Sequence, residues 1–119
     1  MGNLNHRVAV IIPSTMNVNG NAAPETVAKW VKAAKVKLAD LFGGFTAYSA
    51  VGGWVSEQHG LVEEPVTVVS AFTDKAGLKR LPEVKALAAE MAGSLAQEAV
   101  VVEVDNSLQF IPPLKLAAA

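Results

Sequence analysis

The sequence predicts an α+β fold in which four antiparallel strands form one sheet and two helices cover one of its faces. Three observations point there. Strand-like and helix-like apolar periods succeed one another as βαββαβ. Both helical segments open at a proline, and a glycine pair, Gly43 and Gly44, closes the first. The helices follow the first and third strands, which sends both to the same side of the sheet. The spatial order expected is fourth, first, third, second: the ferredoxin-like split βαβ arrangement.

The first strand is "HRVAVIIPS", with apolar groups on both faces, ended by Pro13. The polar stretch "PSTMNVNGNAA" is expected to be a loop. A helix over Pro24–Phe42 carries its buried stripe on Val27, Val31, Ala34, Leu38 and Leu41. The second strand is "FTAYSAV", continuing toward Trp54 and Val55, where Gly52 and Gly53 signal a bulge or a close backbone approach. "SEQHG" turns the chain, and "LVEEPVTVVSAF" returns antiparallel. Val66, Val68, Ser70 and Phe72 share one face of that strand, and Thr67, Val69 and Ala71 the other. "TDKAGLKR" is a loop with room for a helical turn. A second helix is expected over about Pro82–Gln97, with Val84, Leu87, Ala88, Met91 and Leu95 inward. "EAVVVEV" is the last strand and "DNSLQFIPP" a tail. The sheet face away from the helices is expected to be apolar too, at Val69, Ala71 and Val101, which calls for burial against other subunits.

A chain of 119 residues fits one domain, set at residues 1–114. The final "KLAAA", Lys115–Ala119, reads as a vector-derived tail. With 51% hydrophobic and 18% charged residues the chain is not a disordered one. Its net charge of −1, without a dense Lys/Arg block, leaves no footprint for nucleic acid. The absence of cysteine excludes disulfides, thiolate nucleophiles and zinc–thiolate sites, and fits a cytoplasmic location. Neither a signal peptide nor a membrane span is legible, so no membrane partner is expected.

The adjacent carboxylates Glu63 and Glu64 stand at the mouth of the third strand, on opposite faces. They either solvate a hairpin end or place one acid, Glu64 by parity with Val66, over a ligand bearing a cation or amine at a subunit boundary. Trp54, across the turn, is either packing or a stacking surface for an adenine or a sulfonium. Ser14, Thr15, Asn17 and Asn19 either cap the first helix or hold an anion on its free N–H groups. Gln97 and Glu98 lie where the second helix gives way to the last strand, a corner that this fold brings beside the hairpin. His6 and His59 form no HxxxH or HExxH spacing, and the glycine pairs form no GxGxxG. No metal and no cofactor is expected.

The βαββαβ order and small-residue hairpin resemble the PII-like signalling proteins, trimers that bind nucleotides between subunits. A more particular resemblance is to the small phage-encoded S-adenosylmethionine lyases. It rests on the aromatic of "GGW", the acid pair of "VEEPVTVV" and the stretch "AQEAVVVEV". The resemblance implies a homotrimer that releases methylthioadenosine and homoserine lactone at a subunit interface. Glu64, or its neighbour Glu63, would be the essential acid, and Gln97 a ligand-side or structural polar group. Where those lyases place a tyrosine ahead of the acid this chain has Trp54, at slightly shorter spacing. Two alternatives stay open: a non-catalytic binder of an adenine nucleotide or related signal molecule, and a structural oligomerisation domain.

Overall fold

The computed structural model describes residues 3–16 and 20–114. Asn17, Asn19 and the expected tail at Lys115–Ala119 lie outside the described residues. The elements in chain order are β1 (His6–Pro13), β2 (Thr15–Met16), β3 (Gly20–Asn21), α1 (Pro24–Phe42), β4 (Thr46–Ser56), β5 (Gly60–Thr73), α2 (Leu81–Ser94), β6 (Val100–Val104) and β7 (Ser107–Ile111). A 3₁₀ turn at Gly77–Arg80 leads into α2, the helical turn for which the loop had room.

The main sheet has five strands in the order β4-β5-β1-β6-β7, all neighbours antiparallel. The four expected strands stand in the expected order, but the strand count of four is corrected to five. The supposed tail "DNSLQFIPP" is largely β7, paired with β6 from Val104↔Ser107 to Val100↔Ile111. Asp105 and Asn106 make the turn, and Asp105 adopts φ 52°, a conformation that Asp and Asn tolerate better than most residues. The turn is tied to β1 as well: Asp105 N–H donates to the Arg7 carbonyl (2.8 Å), and Arg7 N–H to Asp105 Oδ1 (2.9 Å). The loop after β1 also differs from expectation. It folds into a small ribbon, β2 against β3, closed by Ala22 N–H donating to the Ser14 carbonyl (2.9 Å).

Helix α1 has the expected bounds and ends on Gly43 at φ 89°, the left-handed conformation that glycine adopts without steric cost. Its most buried residues are Trp30, Ala34 and Leu38, while Val27, Val31 and Leu41 flank them half-buried. Trp30 thus belongs to the inward stripe, where its indole N–H donates to Ser94 Oγ on α2 (3.1 Å) and ties the two helices together. Helix α2 starts close to where the sequence placed it but stops at Ser94, so Gln97 is not helical.

Register fixes the two faces of the sheet. Val8, Val10, Ile12, Val69, Ala71, Val100 and Val102 form the core beneath the helices. Val69 and Ala71 are therefore not on the open face, as the sequence suggested. The open face carries Ile11, Val66, Val68, Phe72, Val101 and Phe110. With apolar residues at both parities of β5, alternation alone cannot say which set looks inward. No bulge interrupts the hairpin: β4 and β5 pair without a break from Thr46↔Ser70 to Ser56↔Gly60. The glycines answer to close approach instead. A Cβ on Gly52 would sit 3.3 Å from Val66 Cγ1, and one on Gly53 3.2 Å from the Val62 carbonyl.

Candidate functional site

The site begins where two prolines stop a ladder. β1 and β5 pair as far as Pro13↔Val66. The next step of that register would set Ser14 against Pro65, which has no N–H to give. Side chains take over there. Ser14 Oγ donates to the Pro65 carbonyl (2.6 Å), and one residue further Thr15 Oγ1 donates to Glu64 Oε2 (2.8 Å). The chain leaving β1 therefore stays against β5 for two further residues and delivers Thr15 to Glu64.

The third participant arrives from α2. Gln97 N–H donates to the Ala92 carbonyl (2.9 Å) and Ala96 N–H to the Gly93 carbonyl (3.3 Å), while Ala96 sits at φ 51°. This is the Schellman ending of a helix, with Gln97 as the second residue past the cap. It aims the Gln97 side chain at the end of β1, where Nε2 donates to the Thr15 carbonyl (2.9 Å) and to Thr15 Oγ1 (3.2 Å). Alanine carries a steric cost in the left-handed conformation that glycine lacks. Ala96→Gly is expected to stabilise the protein by about 0.5–1 kcal/mol, read as a rise in melting temperature, with the Gln97 corner unchanged.

Four of the candidate residues thus meet in one half-buried corner: Ser14, Thr15, Glu64 and Gln97. Glu63 does not join them. It is exposed and, by alternation, on the other face of β5. Trp54 pairs with Val62 and shares the face of Glu64, with 46% of its surface exposed. It is not directly across from either acid. Gly53 stands opposite Glu63 and Gly52 opposite Glu64, so no side chain stands directly across from Glu64 on β4. Asn17 lies outside the described residues. His59 is exposed in the β4–β5 turn, where its N–H donates to Ser56 Oγ (3.2 Å).

A second polar cluster, without any local signal in the sequence, lies at the opposite end of β1. Arg7 Nη1 donates to Glu103 Oε2 (2.6 Å) and Nη2 to the Tyr48 hydroxyl (3.0 Å), a span across the open face from β6 to β4. Burial would lower the Arg7 pKa, but the bonds to Glu103 and Tyr48 outweigh it and raise it. His6 Nδ1 lies 2.9 Å from Asp105 Oδ2. That hydrogen bond, and then the one from Arg7 N–H, holds the Asp105 carboxyl below the usual range. The register of β1 against β5 and β6, together with that of β4 against β5, brings these residues together. A shallow groove of about 250 Å³ lies at that same end, lined by Leu4, Phe42, Phe45 and Phe72 among others. It holds no carboxylate and is separate from the Glu64 corner.

No family model matches the sequence, and no curated protein does. The chain is similar in fold to solved structures of phage SAM lyases. A phage SAM lyase in complex with S-methyl-5'-thioadenosine superposes with a TM-score of 0.64 at 18% identity, over 94% of this chain and 92% of that one. A phage SAM lyase in the apo state gives 0.63 at 16% identity, over 98% of each. The α+β fold is similar to that of the phage SAM lyases along nearly the whole of both chains.

Proposed function

We propose that the chain is a SAM lyase-like enzyme that releases methylthioadenosine and homoserine lactone at an interface between subunits of a homotrimer. The observation that carries this is the Glu64 carboxylate held by Thr15 at an open corner, in a fold that a SAM lyase also adopts. The chemistry asks little of a protein. A carboxylate oxygen of the substrate attacks its own γ-carbon as the C–S bond breaks, and the bonding pair leaves with sulfur. The products are a neutral thioether and a five-membered lactone, so no proton transfer is needed. The enzyme must hold the chain folded for attack. Glu64 would do so by binding the substrate ammonium, with its charge favouring a cationic group. The strand opposite Glu64 has only Gly52 there, which leaves space for the ligand.

The open sheet face supports assembly as part of this reading. Phe72 (53% exposed), Leu108 (56%) and Phe110 (69%) lie on it in the single chain, an apolar patch of the kind that subunit contacts cover. Incubation with S-adenosylmethionine should yield methylthioadenosine and homoserine lactone in equal amounts. Homoserine formed without passing through lactone would instead mean attack by water.

A second reading, a non-catalytic binder of an adenine nucleotide, is favoured by Trp54. It is half-exposed on the face of Glu64 and offers a stacking surface. Saturable quenching of Trp54 fluorescence by S-adenosylmethionine, with the substrate recovered intact, would favour that reading over the lyase.

A further inference from the structure

We propose that Thr15 is a positioning residue for Glu64, with Gln97 setting the direction in which its hydroxyl donates. This rests on the reading of Glu64 as the acid that binds the substrate.

The Thr15 carbonyl can only accept, so the Gln97 atom 2.9 Å from it must be the amide nitrogen. This fixes the amide orientation without appeal to anything further away. The same nitrogen lies 3.2 Å from Thr15 Oγ1 and donates its second hydrogen there. Thr15 Oγ1 is thereby an acceptor toward Gln97. Its own single hydrogen remains for Glu64 Oε2, 2.8 Å away. A hydroxyl alone rotates to suit its surroundings, but here the amide leaves one direction. The chain of bonds runs one way, from Gln97 through Thr15 to the carboxylate.

Both donors rest on rigid supports. The Schellman ending of α2 holds the Gln97 backbone through the Ala92 and Gly93 carbonyls. The Ser14–Pro65 bond holds the backbone next to Thr15 against the backbone next to Glu64. Glu64 itself sits on a long hairpin strand with a glycine opposite, so no side chain stands directly across from it on β4. The Thr15 bond supplies the restraint that the opposing strand omits. Gln97 therefore acts on the substrate through Thr15 and Glu64, and both of its amide hydrogens are committed within the protein. A carboxylate held by one oxygen turns the other toward the ligand in a fixed direction, which a near-attack conformation requires.

The test uses the full chain and two readouts. The first is turnover of S-adenosylmethionine. Thr15→Ser keeps the donor and should stay within about twofold of wild type. Thr15→Val should lower kcat roughly 10- to 100-fold, the range for losing a hydrogen bond to a charged group, with a smaller change in KM. Gln97→Glu puts an acceptor where the donor stood and should resemble Thr15→Val. Equal kcat for Thr15→Val and wild type would overturn the proposal while leaving the lyase reading intact. So would equal losses in Thr15→Ser and Thr15→Val.

The second readout does not depend on activity. If Thr15 and Glu64 act through one bond, the melting-temperature shifts of Thr15→Val and Glu64→Ala should combine sub-additively in the double variant. Wild-type protein that yields no product would remove the lyase reading, and the melting cycle alone would then decide the bond. Additive shifts would overturn it.

Discussion

Glu64→Gln is expected to lower kcat/KM for methylthioadenosine release by about 10²- to 10³-fold with the melting temperature nearly unchanged. The size follows from charge. A carboxylate about 4 Å from a cation, at the effective dielectric of a partly buried site, is worth about 4 kcal/mol, and each 1.4 kcal/mol is tenfold. The preserved fold follows from geometry. Glutamine is isosteric, and its amide oxygen still accepts from Thr15 Oγ1 where Glu64 Oε2 now does at 2.8 Å. The ladder from Gly52↔Glu64 onward uses backbone groups only. The substitution removes the negative charge and little else. The rate of product formation, paired with a thermal melt, reads both halves of the prediction. Turnover within about twofold of wild type would remove Glu64 from the mechanism, because no charge term of this size could then act there.

Phe110→Glu is expected to convert the proposed trimer to monomers and to abolish turnover. In the isolated chain Phe110 is 69% exposed, and a surface substitution of that kind usually costs within about 0.5 kcal/mol. A large effect on sedimentation can therefore come only from a partner that covers the residue. An unpaired carboxylate buried in an apolar contact is strongly disfavoured. Val36→Glu is the matching control, since Val36 is 51% exposed on α1, the helix layer remote from the open face. Light scattering and turnover on both variants separate the cases. An assembled, active Phe110→Glu protein would exclude this face as the subunit contact.

How much of this was legible in the sequence differs by element. Helix α1 and the strands β1, β4, β5 and β6 were marked by period and punctuation that local physics enforces. β7 was missed, although "VDNSL" carries a two-residue Asp-Asn turn between alternating segments. Pro112 and Pro113 follow β7 directly, and the stretch reads in the sequence as a tail. The choice of inward face on β5 was not available from the strand itself, because Val66, Val68, Val69 and Ala71 are apolar at both parities. Only the pairing with β1 decides it.

The site divides along the same line. Glu64 was identified by its place at a strand mouth and by parity with Val66. Thr15, Ser14 and Gln97 were singled out for other roles, as caps, anion holders or ligand groups. Their actual meeting depends on Pro65 ending a ladder and on Ala96 ending a helix, and neither is encoded by a motif. The Arg7–Glu103–Tyr48 cluster joins residues from three strands and has no local signal at all.

The proposed lyase needs the Glu64 corner as its ligand site and a neighbouring subunit to complete it. A crystal structure of the full chain grown with methylthioadenosine tests this most directly. The expected result is a trimer with the ligand between two copies, beside Glu64 and over the Gly52 gap, and with the Thr15–Glu64 bond retained. Methylthioadenosine bound in the groove of Leu4, Phe42, Phe45 and Phe72, or an assembly that leaves Glu64 facing solvent, would contradict it.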